Sequence, residues 1–206
     1  MRIVAQYSHL NGLEFLEARK PHIWQEIEAV VASIDAEACK TKVSKEKNTM
    51  GELFYSPREL NDRFREEFYT RGWEKPGQVR FFPTDDPDLT REIMHLKPKQ
   101  QREKLEVLGK KIISSYNEAD FLKERISLEV QFGKYSFVQF DMFIKHAANY
   151  MHDLIDLGVE IVPMKSMEEE MSSGPPFYEK HLHEILRQGR VFPPVPLILV
   201  GVAPDI

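Results

Sequence analysis

The sequence predicts an α/β fold, and three features of its C-terminal half indicate this class. Residues 126–132 alternate between apolar and polar side chains, which is typical of a strand with one apolar and one polar face. Segments 158–163 and 196–202 are also predicted strands, the second apolar throughout as in a strand covered on both faces. Between 132 and 158 lies an apolar stripe with helical spacing, formed by Phe140, Phe143, Ile144, Ala147, Met151, Leu154 and Ile155. Strand, amphipathic helix and strand make a βαβ unit, so these strands should be parallel with a right-handed crossover.

The N-terminal half has mainly helical patterns. One helix is predicted over 22–34, and Pro57 opens a second one, with apolar side chains at fourfold spacing to Phe68. Residues 89–115 have a helical composition that is interrupted at Pro98. Segment 74–88 is expected to be an irregular connection, and the lysine-rich segment 40–48 a solvated loop or a contact to phosphates. We expect one domain over 1–206, with an N-terminal helical part at about 1–104, a catalytic core at about 105–206 and a small additional subdomain.

Net charge bears on nucleic-acid binding, and cysteine content bears on the cellular compartment. The net charge of −5 by itself argues against nucleic-acid binding, which favours a basic surface, but a metal-dependent nuclease needs carboxylates at its centre. Cys39 is the single cysteine, so no disulfide can form within the chain, which fits a reducing compartment. The N-terminus lacks a secretory signal pattern, and the longest apolar run, 195–203, is too short to span a bilayer. We expect a cytoplasmic protein without a membrane partner.

The candidate chemistry lies on the alternating strand. Glu129 and Gln131 are two residues apart and therefore share a strand face, and Asp120 lies nine residues before Glu129 on a preceding strand or turn. Two carboxylates that converge at a sheet edge suit Mg²⁺, which is usually held by one or two carboxylates together with water and phosphate. Polar residues on a solvent-facing strand would give the same spacing without a metal site.

A resemblance adds to this weak signal. The stretch from Asp120 to EVQFGKYSF at 129–137 resembles the active-site segment of the BglII/BstYI group of restriction endonucleases, within the PD-(D/E)xK nuclease superfamily. The similarity continues along most of the chain. It includes, in order, YSHLNGLEF, PHIWQEI, SIDAEACKTK, YSP at 55–57, SYN at 115–117, MSSG, RQGR and PLILVGVAP. Several separate blocks in one order are much more specific than the D-x8-E-x-Q pattern alone.

The resemblance implies a fold, an activity and a set of site residues. The fold would be a central mixed β-sheet flanked by helices, with a restriction-endonuclease-like core. Asp120 and Glu129 would be catalytic ligands of Mg²⁺. Gln131 stands where the superfamily usually has lysine, so it would orient the attacking water rather than accept its proton. Glu74 is a weak candidate for a fourth member. The activity would be that of a prokaryotic type II endonuclease, a homodimer that cuts double-stranded DNA at a palindrome such as purine-GATC-pyrimidine.

Five residues are candidates for DNA contact. Lys134 follows the catalytic strand and can donate to guanine O6 and N7, or it is a solvated turn lysine. Ser172 and Ser173 lie in a short loop that approaches the recognition site in the resembling group, or they cap a helix predicted over 175–188. Arg187 and Arg190 would bind phosphate, or they complement the dipole at the end of that helix.

Two other functions remain open at this point. A DNA-binding protein could keep this fold without cutting, although the intact Asp120, Glu129 and Gln131 argue against that reading. A structure-specific repair nuclease would share the site of the superfamily but would not need a palindrome. Plasmid digestion separates the three, since they give discrete fragments, no cleavage and diffuse nicking, respectively.

Overall fold

The structure, a computed structural model, describes residues 1–45, 47–75, 78–171 and 174–205, with only the backbone of Tyr135 and Ser136. The chain forms two compact units. Unit 1 consists of Met1–Lys75 and Asp120–Ile206, and unit 2 of Pro76–Ala119. Within the described ranges, no helix combines the length and the apolar character that crossing a membrane requires.

The helices and strands follow one another in a mixed order. In chain order they are β1 (Arg2–His9), α1 (Gly12–Arg19), α2 (Pro21–Ser33), β2 (Lys42–Val43), β3 (Leu53–Phe54), α3 (Pro57–Thr70), β4 (Val79–Phe81), α4 (Pro87–Ile93), α5 (Pro98–Val107), β5 (Ser115–Asn117), β6 (Phe121–Lys123), β7 (Ile126–Val130), α6 (Tyr135–Phe140), α7 (His146–Met151), β8 (Leu157–Pro163), α8 (Lys165–Glu168), α9 (Tyr178–Arg187) and β9 (Leu197–Ala203). A π-helical turn, Asp141–Lys145, joins α6 to α7.

Unit 1 is built on a five-stranded mixed sheet. The strand order is β1-β9-β8-β7-β6. Strands β7, β8 and β9 run parallel, and β1 and β6 pair antiparallel at the two edges. The α/β class with a central mixed sheet and flanking helices is confirmed. The parallel pairing of β7 with β8, which the βαβ pattern predicts, is also found. Strand β1 was not predicted.

Helices cover both faces of this sheet. One face packs its apolar side chains against α2 and α3, in a core that contains Leu128, Ile161 and Val200 of the sheet and Ile27 and Phe64 of the helices. The opposite face carries Val162, Leu197 and Leu199, which pack against α6, the π turn and α9. The alternative in which the polar face of β7 is simply a solvent-facing surface is wrong. Ser127 and Glu129 are buried, because the helical segment after β7 folds back over them.

That helical segment has an unusual distribution of polarity. Its inward face is polar and buried, with Asp141, Lys145, His146 and Asn149. Its outward face carries Phe140, Ile144 and Met151, which are 41%, 52% and 72% exposed. An amphipathic helix ordinarily turns its apolar stripe to the core. Part of the predicted apolar stripe therefore faces outward here, while polar and charged side chains face the sheet.

Two helices at other places test the sequence predictions. Helix α3 begins at Pro57 as predicted, and the Ser56 hydroxyl caps it by accepting a hydrogen bond from the amide of Glu59. Helix α9 was predicted from residue 175, but it begins at Tyr178. Its N-cap is Phe177, which makes no side-chain capping bond.

Unit 2 is a small helical hairpin with a two-stranded sheet. Strands β4 and β5 pair antiparallel. Leu89 and Ile93 of α4 pack with Leu105 of α5. Asp86 caps α4 by accepting from the amides of Asp88 and Leu89. The irregular connection predicted over 74–88 therefore contains strand β4 and the start of α4.

Candidate active site

A tight β-hairpin places Asp120 beside Glu129. Strands β6 and β7 pair with Phe121 opposite Leu128, and extending this register by one residue sets Asp120 opposite Glu129. Glu124 and Arg125 form the two-residue turn, both with positive φ, as in the turns that match the twist of paired strands. Residues opposite each other in an antiparallel pair share a sheet face. The spacing of nine residues between Asp120 and Glu129 therefore follows from the register of this hairpin and its two-residue turn.

Backbone groups hold both carboxylates in place. The amide of Asp120 donates to Glu129 Oε2 at 3.2 Å, and the amide of Val130 donates to Asp120 Oδ2 at 3.3 Å. Asp120 is exposed, whereas Glu129 is 2% exposed. The site thus has one carboxylate that solvent can reach and one at the base.

The buried carboxylate has a cationic partner from the helical segment. Lys145 Nζ lies 3.0 Å from Glu129 Oε1 and 2.6 Å from Asp141 Oδ1. Both Lys145 and Asp141 lie on the π turn. π-helical turns are rare and occur often at functional sites, since they reorient side chains within a helix. Here the turn directs both ends of an ion pair to the sheet.

A second buried pair lies beside the first. Glu160 of β8 is the parallel register partner of Glu129. Its Oε1 lies 3.2 Å from His146 Nε2, and both side chains are fully buried. His146 packs over the backbone of Gly158, where a Cβ would lie 2.6 Å from the ring, so only glycine fits at this position. Polar groups thus continue from Asp120 into the interior.

Burial and mutual repulsion perturb the acidic groups. Burial, together with the carboxylates of Asp120 and Asp141, holds the pKa of Glu129 well above its usual range. Burial likewise raises the pKa of Glu160 and of Asp141. Burial on its own lowers the pKa of Lys145, but Glu129 and Asp141 outweigh this effect and raise it. Such a cluster of perturbed groups is typical of functional sites.

Burial favours the neutral forms of both His146 and Glu160. Burial and the neighbouring Lys145 lower the pKa of His146 to about 3, so its imidazole is neutral near pH 7. Burial, together with the carboxylates of Asp141 and Glu129, raises the pKa of Glu160 and so favours its protonated form.

Gln131 lies just beyond β7, and its amide is partly engaged. Its backbone continues the ladder by donating to the carbonyl of Ile161. Its Oε1 accepts a 3.0 Å hydrogen bond from the amide of Gly133. A Cβ at residue 133 would lie 2.8 Å from that oxygen, so a larger residue here would displace the Gln131 amide from this position. With its oxygen so held, Gln131 presents its NH₂ group as a donor.

The other candidate residues are less closely grouped. Lys134 is exposed at the N-cap of α6. Arg187 is in the last turn of α9 and pairs with Glu184 at 2.8 Å, and Arg190 is exposed beyond the helix. Ser172 and Ser173 lie outside the described residues. The backbone of Glu74 forms a bridge with Leu122, two residues from Asp120, but its side chain is exposed.

The carboxylates of Asp120 and Glu129 fit a magnesium ion that takes only two ligands from the protein. Across the described part of the chain, no three or more His, Cys, Asp and Glu side chains converge as a metal-binding group. Mg²⁺ does not require such a cage, because one or two carboxylates with waters and substrate phosphate satisfy it. Asp120 and Glu129 supply hard oxygen donors on one sheet face, and the exposure of Asp120 leaves access for phosphate.

The sequence predicts Asp120, Glu129 and Gln131 as site residues, whereas Asp141, Lys145, His146 and Glu160, which the structure places beside Glu129, were not predicted. One signal was available. Glu160 interrupts the apolar segment 158–163, and a charge in the middle of a strand buried on both faces needs a buried partner. The spacing of Asp141 and Lys145 also suits an i,i+4 ion pair.

Comparisons with known proteins agree with this architecture. The model of the family described as restriction endonuclease BglII/BglIII matches residues 4–202. The chain therefore belongs to this family of restriction endonucleases, and the predicted resemblance to BglII-like enzymes is confirmed. None of the curated proteins matches the chain.

Two solved structures of BglII have a similar fold. One is BglII complexed with a DNA 16-mer, with a TM-score of 0.66 and 18% identity over 100% of this chain and 80% of that chain. The other is free BglII, with a TM-score of 0.57 and 17% identity over 100% of this chain and 81% of that chain.

Proposed function

We propose that this protein is a type II restriction endonuclease that hydrolyses both strands of a palindromic GATC-containing site, purine-GATC-pyrimidine, in the presence of Mg²⁺. The observation that carries the proposal is the juxtaposition of Asp120 and Glu129 on one face of a hairpin in a chain of the BglII family. Among members of the group, the sequence resembles BstYI most, within the PD-(D/E)xK superfamily. The enzyme would act in the cytoplasm of a prokaryote as part of a restriction–modification system.

The residues of the site divide the work. Asp120 and Glu129 would hold Mg²⁺, which would supply Lewis-acid chemistry at the scissile phosphate. Gln131 orients the attacking water through its NH₂ group, since its oxygen is held by Gly133. Lys145 offsets the charge of the buried carboxylates. Lys134, Arg187 and Arg190, with Ser172 and Ser173, contact the double-stranded DNA.

A homodimer is proposed from the outer face of the helical segment. This outer face comprises Phe137, Phe140, Ile144 and Met151, all of them exposed. Their spacing of three, four and seven residues is that of a helix-pairing seam, in which apolar residues repeat at alternating steps of three and four. A palindrome has two equivalent halves, so a twofold dimer joined at this seam would present one site to each strand.

Digestion of a plasmid of known sequence tests the proposal. With Mg²⁺, we expect discrete fragments whose mapped ends all lie in purine-GATC-pyrimidine sites, and with EDTA no cleavage. Binding without cleavage would identify a non-cutting DNA-binding protein of the same fold. Diffuse nicking without a consensus would identify a structure-specific nuclease. Either result would overturn the proposal.

Lys134 and Ser173 are predicted to affect the choice of the outer base pair. Lys134→Asn or Ser173→Asn introduces an amide that pairs best with adenine N6 and N7, so cleavage of AGATCT should gain on GGATCC. A good bidentate contact discriminates by roughly 1–3 kcal/mol, which corresponds to about a 5- to 150-fold change in the cleavage ratio. The measurement is competitive cleavage of the two duplexes at one salt concentration.

The control for this prediction is Lys99→Asn, which changes an exposed lysine on α5. Its cleavage ratio should equal that of the wild type. If both site variants retain activity and also leave the ratio unchanged, neither residue reads the outer base pair.

A further inference from the structure

Both carboxylate oxygens of Glu129 already accept a hydrogen bond. Oε2 accepts from the amide of Asp120 at 3.2 Å and Oε1 from Lys145 Nζ at 3.0 Å. The Lys145 side chain is 10% exposed, so its ammonium group is nearly removed from water. An ammonium group and a divalent cation repel each other strongly in such a setting, because the effective dielectric constant is low. A cation at Glu129 therefore competes with Lys145 for this carboxylate.

Asp141 offers the ammonium group a second position. Its Oδ1 lies 2.6 Å from Lys145 Nζ, closer than Glu129, and it is on the same π turn. Lys145 can therefore leave Glu129 and remain paired with Asp141, without becoming a buried charge that lacks a partner. That matters because an unpaired buried charge is costly.

We propose that Lys145 is an internal competitor of the metal: when no cation is bound, its ammonium group stabilises Glu129 beside Asp120, and when a cation binds, it withdraws to Asp141. Lys145 and Asp141 are then positioning residues, because neither touches the substrate. The idea rests on the proposed metal site at Asp120 and Glu129. It adds that occupancy of this site is set by an exchange between two cations, one of them belonging to the chain.

The test measures Ca²⁺ binding to the DNA-free protein by calorimetry, together with thermal unfolding in EDTA and in Ca²⁺. Lys145→Met should bind Ca²⁺ more tightly and Asp141→Asn more weakly, each by about tenfold, within the range of coupled charge networks. Lys145→Met should also unfold at a lower temperature in EDTA and regain most of the loss in Ca²⁺, because the added cation replaces the lost ammonium group.

The double variant Lys145→Met/Asp141→Asn distinguishes an exchange of Lys145 between Glu129 and Asp141 from a direct effect of the Asp141 charge on Ca²⁺ affinity. If Asp141 acts by receiving Lys145, Asp141→Asn has no effect on Ca²⁺ affinity once Lys145 is Met. If Asp141 acts only through its charge, the weakening persists in the double variant, which overturns the proposal. Failure of Lys145→Met to fold even in saturating Ca²⁺ overturns it as well.

A matched control is Lys20→Met. Lys20 forms a half-buried ion pair with Asp156 at 3.1 Å, outside the carboxylate site. This variant should lose stability equally in EDTA and in Ca²⁺ and keep the wild-type Ca²⁺ affinity. If the wild type itself binds no Ca²⁺, the metal site fails and the proposal with it. If the wild type binds Ca²⁺ but Lys145→Met does not bind it more tightly, the metal site stands and the exchange fails.

Discussion

Asp120→Ala should lower the rate of DNA cleavage by at least about 1,000-fold while the protein remains folded. Asp120 is exposed, so its loss removes little packing, whereas it supplies half of the proposed metal site. A metal ion contributes several kcal/mol to the stabilisation of the transition state, and about 4 kcal/mol corresponds to about 1,000-fold in rate. Single-turnover cleavage in Mg²⁺ gives the rate, and circular dichroism reports the fold.

Glu129→Ala should abolish cleavage to a similar extent, and Glu129→Gln offers a version with the same shape. The glutamine has the size of the glutamate and keeps one acceptor oxygen, for either Lys145 or the amide of Asp120, so folding is better protected than in Glu129→Ala. The matched control is Asp62→Ala on the exposed surface of α3, where ion pairs contribute little, and its cleavage rate should be unchanged. Cutting at the wild-type rate by Asp120→Ala or Glu129→Ala would refute the site assignment.

Ile144→Asp should dissociate the proposed dimer. Ile144 lies at the middle of the outer face, and a twofold interface contains the substitution twice. A hot-spot residue at the centre of an interface contributes at least about 2 kcal/mol, so if Ile144 is one, two copies should raise the dissociation constant by about 1,000-fold. Light scattering over a range of concentrations should show a shift from about twice the chain mass of 24.1 kDa to the mass of one chain.

Val43→Asp is the control for that experiment, since Val43 is 55% exposed but lies on the short strand β2. Its molar mass by light scattering should equal that of the wild type at each concentration. A wild-type protein that is a monomer even on DNA, yet cuts both strands in one binding event, would contradict the twofold arrangement. Wild-type behaviour of Ile144→Asp would place the interface elsewhere.

The sequence pattern was sufficient to predict the three parallel strands of the sheet. The alternating β7, the apolar β9 and β8, which is apolar except for Glu160, were predicted because strands of these kinds leave a strong sequence pattern. Strand β1 was missed, since its mixed side chains give only partial burial at an edge of the sheet. The start of α9 was placed three residues early because Pro175 and Pro176 suggest a first helical turn, but the helix begins only at Tyr178.

The carboxylate pair of the candidate site could be predicted from the sequence, but the buried charged residues behind it could not. The pairing of Asp120 with Glu129 follows from the hairpin, yet the spacing alone would also suit any polar strand face. The burial of Asp141 and Lys145 could not be read from residue type, since charged side chains are almost never fully buried unless paired. It depends on the π turn, whose presence no local pattern announces.

The position of β9 has a consequence for how the chain is made. Arg2 of β1 pairs with Ala203 of β9, so β1 has no partner in the sheet until β9 has been synthesised. Strand β8, which carries Glu160, has β7 on one side early, but its other side stays open until β9 arrives. Pairings so distant along the chain form slowly, and unpaired strand edges invite aggregation meanwhile. A nascent polypeptide therefore completes the scaffold behind its carboxylates only after residue 203 has been synthesised.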